Sequence, residues 1–122
     1  MALTVTRSVR PSSQWQESYV KLRRGQRVVI DAEGTWSPDM RNQIVWCGAD
    51  GILDRLANND YILPGTNIGA LIGKVGPKGK VFAIGSRHDF IADEDGVLFL
   101  AMNENPQYNN QAGLISAQII VL

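Results

Sequence analysis

Hydrophobic and polar positions alternate along most of this chain with the period of two that marks half-buried β-strands. Between Ser18 and Leu22, Val20 and Leu22 fall on one face and Tyr19 and Lys21 on the other. Val28, Ile30 and Ala32 alternate in the same way with Arg27, Val29 and Asp31. Helical periodicity is nearly absent. The pattern predicts strands near 3–9, 16–22, 26–36, 69–75, 80–84, 87–92, 96–103 and 113–121. Arg24-Gly25, Gly76-Pro77-Lys78-Gly79 and Asp93-Glu94-Asp95-Gly96 supply turn chemistry between them. Short strands at such spacing predict an all-β fold, an antiparallel β-sandwich or jelly roll.

One stretch breaks the rhythm. From Ser37 to Asn67 the chain carries Trp46, Cys47, Asp50, Asp54, Asn58, Asn59, Asp60 and the turn-like Leu63-Pro64-Gly65. An insertion of about 30 residues in a compact domain is more often functional than idle. On a sandwich it can fold over the end that also carries the last long loop, 103–110. No internal repeat or low-complexity segment accompanies it.

Length and charge bound the rest. A chain of 122 residues predicts one domain, 1–122, able to bury a core without staples. Twelve basic and 12 acidic residues cancel, so no global field draws the chain to nucleic acid or acidic lipid. Arg7, Arg10, Lys21, Arg23, Arg24 and Arg27 crowd the first 30 residues, which reads as a solvated sheet face rather than a nucleic-acid interface. Cys47 is the sole cysteine, which excludes an internal disulfide and a cysteine zinc cluster and fits a reducing compartment. Neither a signal peptide nor a membrane span of ~20 apolar residues is evident. We expect a soluble chain whose mature form starts near Met1, located in the cytoplasm or released without a classical signal peptide.

The densest oxygen chemistry lies in the last fifth. Asn103-Glu104 is followed by Asn109-Asn110 and Gly113, between the apolar runs Val97–Leu100 and Leu114–Leu122. A carboxylate with several amide oxygens in one turn suits a hard cation such as Ca²⁺, which prefers oxygen ligands; a single carboxylate makes for weak binding. The same residues also suit a polar hairpin loop in which asparagines cap their own backbone. Other motifs read as structural. Ser86, His88 and Asp89 are too close in sequence to converge as a triad, and no nucleophile elbow exists. Gly69–Lys74 lacks phosphate-loop spacing, so its glycines read as close packing within a strand. Asp93–Gly96 opens like an EF-hand loop without its closing glutamate and reads as a turn. Trp36 and Trp46 flank the start of the insertion, and either offers a flat face to a sugar ring, while a buried place in the core explains Trp36 equally well. No nucleophile–base or acid pair can be assembled, so the chain is not expected to be an enzyme.

Several segments, in order, resemble the PA-IL-like family, the calcium-dependent galactose-binding lectins of bacteria and their domain relatives. Gly25-Gln26-Arg27-Val28-Val29-Ile30-Asp31-Ala32-Glu33-Gly34-Thr35-Trp36 is similar to that family's "Gly-Asp-x-Val-x-Ile-x-Ala-x-Gly-x-Trp" strand. Gly69–Gly76 resembles "Gly-Ala-Leu-Ile-Gly-Arg-Ile-Gly", and Phe82–Gly85 and Gly96–Leu100 follow in turn. The closing "Asn-Asp, four residues, Asp-Asn-Ser-Gly" appears here as Asn103-Glu104, four residues, Asn109-Asn110-Gln111-Ala112-Gly113. The resemblance spans roughly residues 14–122.

It implies a galactose-binding-domain-like sandwich that binds Ca²⁺ through Glu104, Asn109 and Asn110. Carbonyls at Pro38 and in the 105–107 turn, at Gln107, would complete the shell. Vicinal hydroxyls of galactose or a galactoside would coordinate the ion and meet Glu104, Asn109 and Asn110. The insertion, through Trp46, Asn58, Asn59 and Asp60, would shape the pocket. Glu104 stands where the family has an aspartate. The insertion also lacks the histidine with which the galactose lectin grips its sugar, and Gln43, Asn58, Asn59 and Asp60 are the available substitutes. A homo-oligomer, dimer or tetramer, is expected, with Ile119–Leu122 available to extend a strand into a neighbour. The alternative is a protein–protein interaction or assembly module on the same fold that has lost calcium.

Overall fold

A computed structural model describes residues 2–41 and 43–122. Met1, where the mature chain is expected to start, lies outside them. Eight strands follow in chain order: β1 (Leu3–Val9), β2 (Gln16–Leu22), β3 (Arg27–Ser37), β4 (Leu71–Val75), β5 (Phe82–Ala83), β6 (Arg87–Ile91), β7 (Gly96–Met102) and β8 (Ala112–Val121). They form two four-stranded antiparallel sheets, β1-β8-β3-β6 and β2-β7-β4-β5. The all-β sandwich expected from the alternation is therefore what forms. Among the described residues no helix is long and apolar enough to cross a membrane.

The inward positions of both sheets meet in one core. Val20 and Leu22 of β2, Val28 and Ile30 of β3, Leu98 and Leu100 of β7, and Ile115 and Ile119 of β8 are all buried. Tyr19 faces outward between buried Ser18 and Val20, as the alternation expects, and is 76% exposed, but its backbone sits at φ +62°. A register shift between Glu17 and Lys21 accompanies that positive φ, so the strand carries a bulge there. The Ser18 hydroxyl accepts the Val20 N–H (3.1 Å) and the Ser18 carbonyl accepts Arg7 Nε (2.7 Å), which pin the bulge.

Trp36 settles its two readings in favour of the core. It is fully buried, and its indole N–H donates to the Gly69 carbonyl at 2.7 Å. That bond and a turn at Gly69 (φ +85°) explain why β4 begins at Leu71 rather than at 69. Gly73 serves close packing as expected, because a Cβ there would lie 2.8 Å from Ile84 Cδ1. His88 stacks on Phe90 (4.9 Å, 20°) and tilts against Phe82 (5.6 Å), and burial lowers its pKa. The acidic turn is structural as well, with Asp95 Oδ1 accepting the Arg24 N–H at 2.7 Å.

Strand β8 lies at the centre of its sheet. Ile119, Ile120 and Val121 pair with β1 on one side and β3 on the other. The expected extension of this run into a neighbour is therefore unavailable, since its backbone is already paired on both sides.

Candidate functional site

Three loops meet at one end of the sandwich: 37–45 after β3, the 52–68 part of the insertion, and 103–111 between β7 and β8. Each is anchored by a buried polar side chain. Asn103 is fully buried. Its Oδ1 accepts the Leu63 N–H (2.9 Å), and its Nδ2 faces the carbonyls of Leu63 (3.0 Å), Asn67 (3.2 Å) and Thr66 (3.3 Å). One side chain thus fixes the turn 63–67. Ser37 closes the 37–45 loop, accepting the Val45 N–H at 2.8 Å and donating to the Pro38 carbonyl at 2.9 Å.

Glu104 is the centre of the site. It is fully buried. Its Oε2 accepts the Asp39 N–H (2.8 Å) and the Gln111 amide (3.0 Å), and its Oε1 accepts the Asn105 N–H (3.0 Å). Burial raises its pKa and nearby Asp39 adds to the rise, while the three hydrogen bonds oppose it. Asp39 in turn accepts the backbone N–H groups of Arg41 (2.9 Å) and Asn110 (3.3 Å). The carboxylate of Glu104 therefore ties the 37–41 loop to the 103–111 loop.

Asp39, whose N–H bonds this buried acid, lines a cleft of about 410 Å³ together with Arg41, Gln43, Arg55, Tyr61 and Tyr108 among others. Tyr61 and Tyr108 meet edge to face at 6.4 Å and 87°. A second hollow of about 520 Å³ lies alongside, lined by Arg41, Asp60, Asn105, Pro106, Gln107 and Tyr108. Arg41 and Tyr108 border both, their side chains 3.4 Å apart. Aromatic faces, a guanidinium fork and carboxylates around an open cleft suit a polyhydroxylated ligand: rings pack on C–H faces while forks and carboxylates bond hydroxyls.

The sequence-predicted residues divide by position. Glu104 is central, and Gln107, Asp60 and Gln43 line the two hollows. Pro38 is buried at the base. Asn109 and Asn110 are exposed beside the cleft. Asn58 caps the Asp60 N–H at 2.9 Å, and Asn59 is exposed. Trp46 stands elsewhere: 59% exposed, it lies over Gly113 and lines neither hollow. Cys47 bonds the Trp36 carbonyl, and burial pushes its thiol up to about 11, which leaves it unreactive. Sequence reasoning missed Asp39, Arg41, Tyr61, Tyr108 and Gln111. Two of them carried a readable signal: Asp39 is the carboxylate next to Pro38, and Gln111 continues the amide series of Asn109 and Asn110. Among the described residues no three His, Cys, Asp or Glu side chains gather as a metal cluster.

No family model matches this chain, and no curated protein matches it in sequence. In three dimensions it is similar to the N-terminal domain of EclA, a PllA-like lectin, with a TM-score of 0.70. The alignment covers 96% of this chain and 95% of that one, at 18% identity. The likeness at that identity is one of fold, and the shared fold is a lectin's β-sandwich.

Proposed function

We propose that this domain binds carbohydrate without catalysis, in the cleft where the 37–45, 52–68 and 103–111 loops meet. The observation that carries the reading is the fully buried Glu104 carboxylate bonded to Asp39, which borders a cleft with Tyr61, Tyr108 and Arg41. The lectin fold of its structural neighbour and the family resemblance of the loop sequence support it.

The finer form of the proposal is a calcium-dependent, PA-IL-like galactose or galactoside lectin. The donor chemistry fits a hard cation. Gln111 Nε2 lies 3.0 Å from Glu104 Oε2 and 2.8 Å from the Tyr108 carbonyl, so two oxygens already converge on one point. Glu104 and the Tyr108 carbonyl would hold the ion, with the amides of Asn109 and Asn110 and the carbonyls of Pro38 and Gln107 available as further donors. Bound there, Ca²⁺ would neutralise the buried carboxylate and take sugar hydroxyl oxygens in place of water. Tyr61, Arg41 and Asp60 would meet the rest of the sugar.

A second reading, the protein-interaction module without calcium, is favoured by one observation: three N–H donors already serve Glu104. A glycan screen followed by calorimetry, in calcium and in chelator, separates the two. Galactoside binding that is lost in chelator and in Glu104→Ala supports the lectin. A blank screen in both buffers, from protein that melts cooperatively, sinks it and leaves the interaction module.

A further inference from the structure

We infer that the side-chain amide of Gln111 is a built-in substitute for a cation, and that it sets how strongly this site takes one. The inference rests on reading the Glu104 cradle as a cation's place.

The nitrogen of that amide has donor capacity only, and it occupies the point where Glu104 Oε2 (3.0 Å) and the Tyr108 carbonyl (2.8 Å) converge. Each of its two hydrogens has an acceptor. The reverse orientation is ruled out chemically, because the amide oxygen would then face two acceptors. A positive ion placed between them would relieve that repulsion. Among the described residues, the ion pairs are Arg27–Asp89 and Arg87–Asp31, and both lie on exposed positions of the β1-β8-β3-β6 sheet. No formal positive charge pairs with Glu104 there, so the Gln111 dipole and two backbone N–H groups carry the compensation.

The loops are therefore organised by protein donors alone. Glu104 bonds Asp39 in the first loop and Gln111 at the end of the last, and Asp39 bonds Asn110. An ion entering this cradle has to displace the amide nitrogen before the oxygens become available. The wild-type protein should consequently hold its shape in chelator and take Ca²⁺ weakly.

Gln111→Glu is the discriminating variant. It keeps the shape, removes the donor and sets a second carboxylate against Glu104. Gln111→Met removes the donor without adding charge. Thermal unfolding of the three proteins is measured in chelator and in millimolar Ca²⁺. The wild-type midpoint should move by less than about 2 °C on chelation. Gln111→Glu should melt about 5 °C or more lower in chelator and recover in Ca²⁺, a range set by roughly 2–8 °C per kcal/mol for domains near this size. Gln111→Met should fall in chelator and stay low in Ca²⁺. Calorimetry should show at least tenfold tighter Ca²⁺ binding by Gln111→Glu than by wild type, since affinity follows ligand charge.

A wild type that loses as much on chelation as Gln111→Glu overturns the inference. So does a Gln111→Glu protein as stable as wild type in chelator. If Gln111→Glu does not fold, Gln111→Met decides: an unshifted midpoint in chelator overturns the inference, and a fall that Ca²⁺ does not restore upholds it. None of these readouts uses sugar, so a blank glycan screen beside the expected shifts removes the carbohydrate reading and leaves this one standing.

Discussion

At the scale of single residues, Glu104 makes this domain's stability depend on pH. Burial, helped by Asp39, holds its pKa above the ordinary 4.5. The folded state then retains the proton that the unfolded chain gives up. Stability from this group is full below 4.5 and is lost as the pH rises through the raised folded value. Wild type should therefore lose ground to Glu104→Gln as the pH climbs from 4.5 toward neutrality, which paired thermal melts measure. Parallel curves would contradict the assignment. Asn103 has a different role. Truncating it strands the half-buried Leu63 N–H and three carbonyl contacts. Asn103→Ala should cost about 2–3 kcal/mol in denaturant unfolding. Glu104 was legible in the sequence as the one carboxylate of an oxygen-rich loop. Tyr61, Tyr108 and Arg41 were not, because their relevance arises only when the irregular insertion folds over the loop, and no periodicity encodes that packing.

At the scale of elements, a strand such as β2 was legible because it buries one face and alternation records it, whereas β4 is buried on both faces. The differences have local causes. β5 shrinks to Phe82–Ala83 because the chain after Gly76 turns through Gly79, whose N–H bonds the Gly76 carbonyl at 3.1 Å. The bulge around Tyr19 left no trace in the pattern, since buried and exposed side chains go on alternating through it. The β3–β8 pairing beneath Trp46 depends on a glycine. At Gly113 (φ +92°) a Cβ would lie 2.5 Å from the Thr35 carbonyl, 2.6 Å from Trp36 Cα and 2.9 Å from the Trp46 ring. Gly113→Ala should therefore destabilise by about 2–3 kcal/mol through strain and backbone clash, read as a lower denaturant midpoint at unchanged slope. An unchanged midpoint would show that the strand end can give way.

At the scale of the whole molecule, an open cleft of about 410 Å³ suits a weak single site, and presenting several at once would raise avidity by ~10²–10⁴. We propose a dimer or tetramer on that ground. Light scattering during size exclusion checks it, and a monomer mass at all concentrations would remove the avidity argument. Any such contact must use something other than strand pairing along β8, whose backbone is taken on both sides. That strand's central position has a consequence for how the protein is made. β1 pairs only with β8 along its length, and β3 depends on β8 over residues 28–37. A ribosome therefore delivers seven strands before the first can find its partner. During that interval β1 and the end of β3 have open backbone edges, the state in which nascent β-chains recruit chaperones or stick to one another. Stalling translation just before residue 112 should leave a chain that proteases cut within β1, and release of ten more residues should protect it.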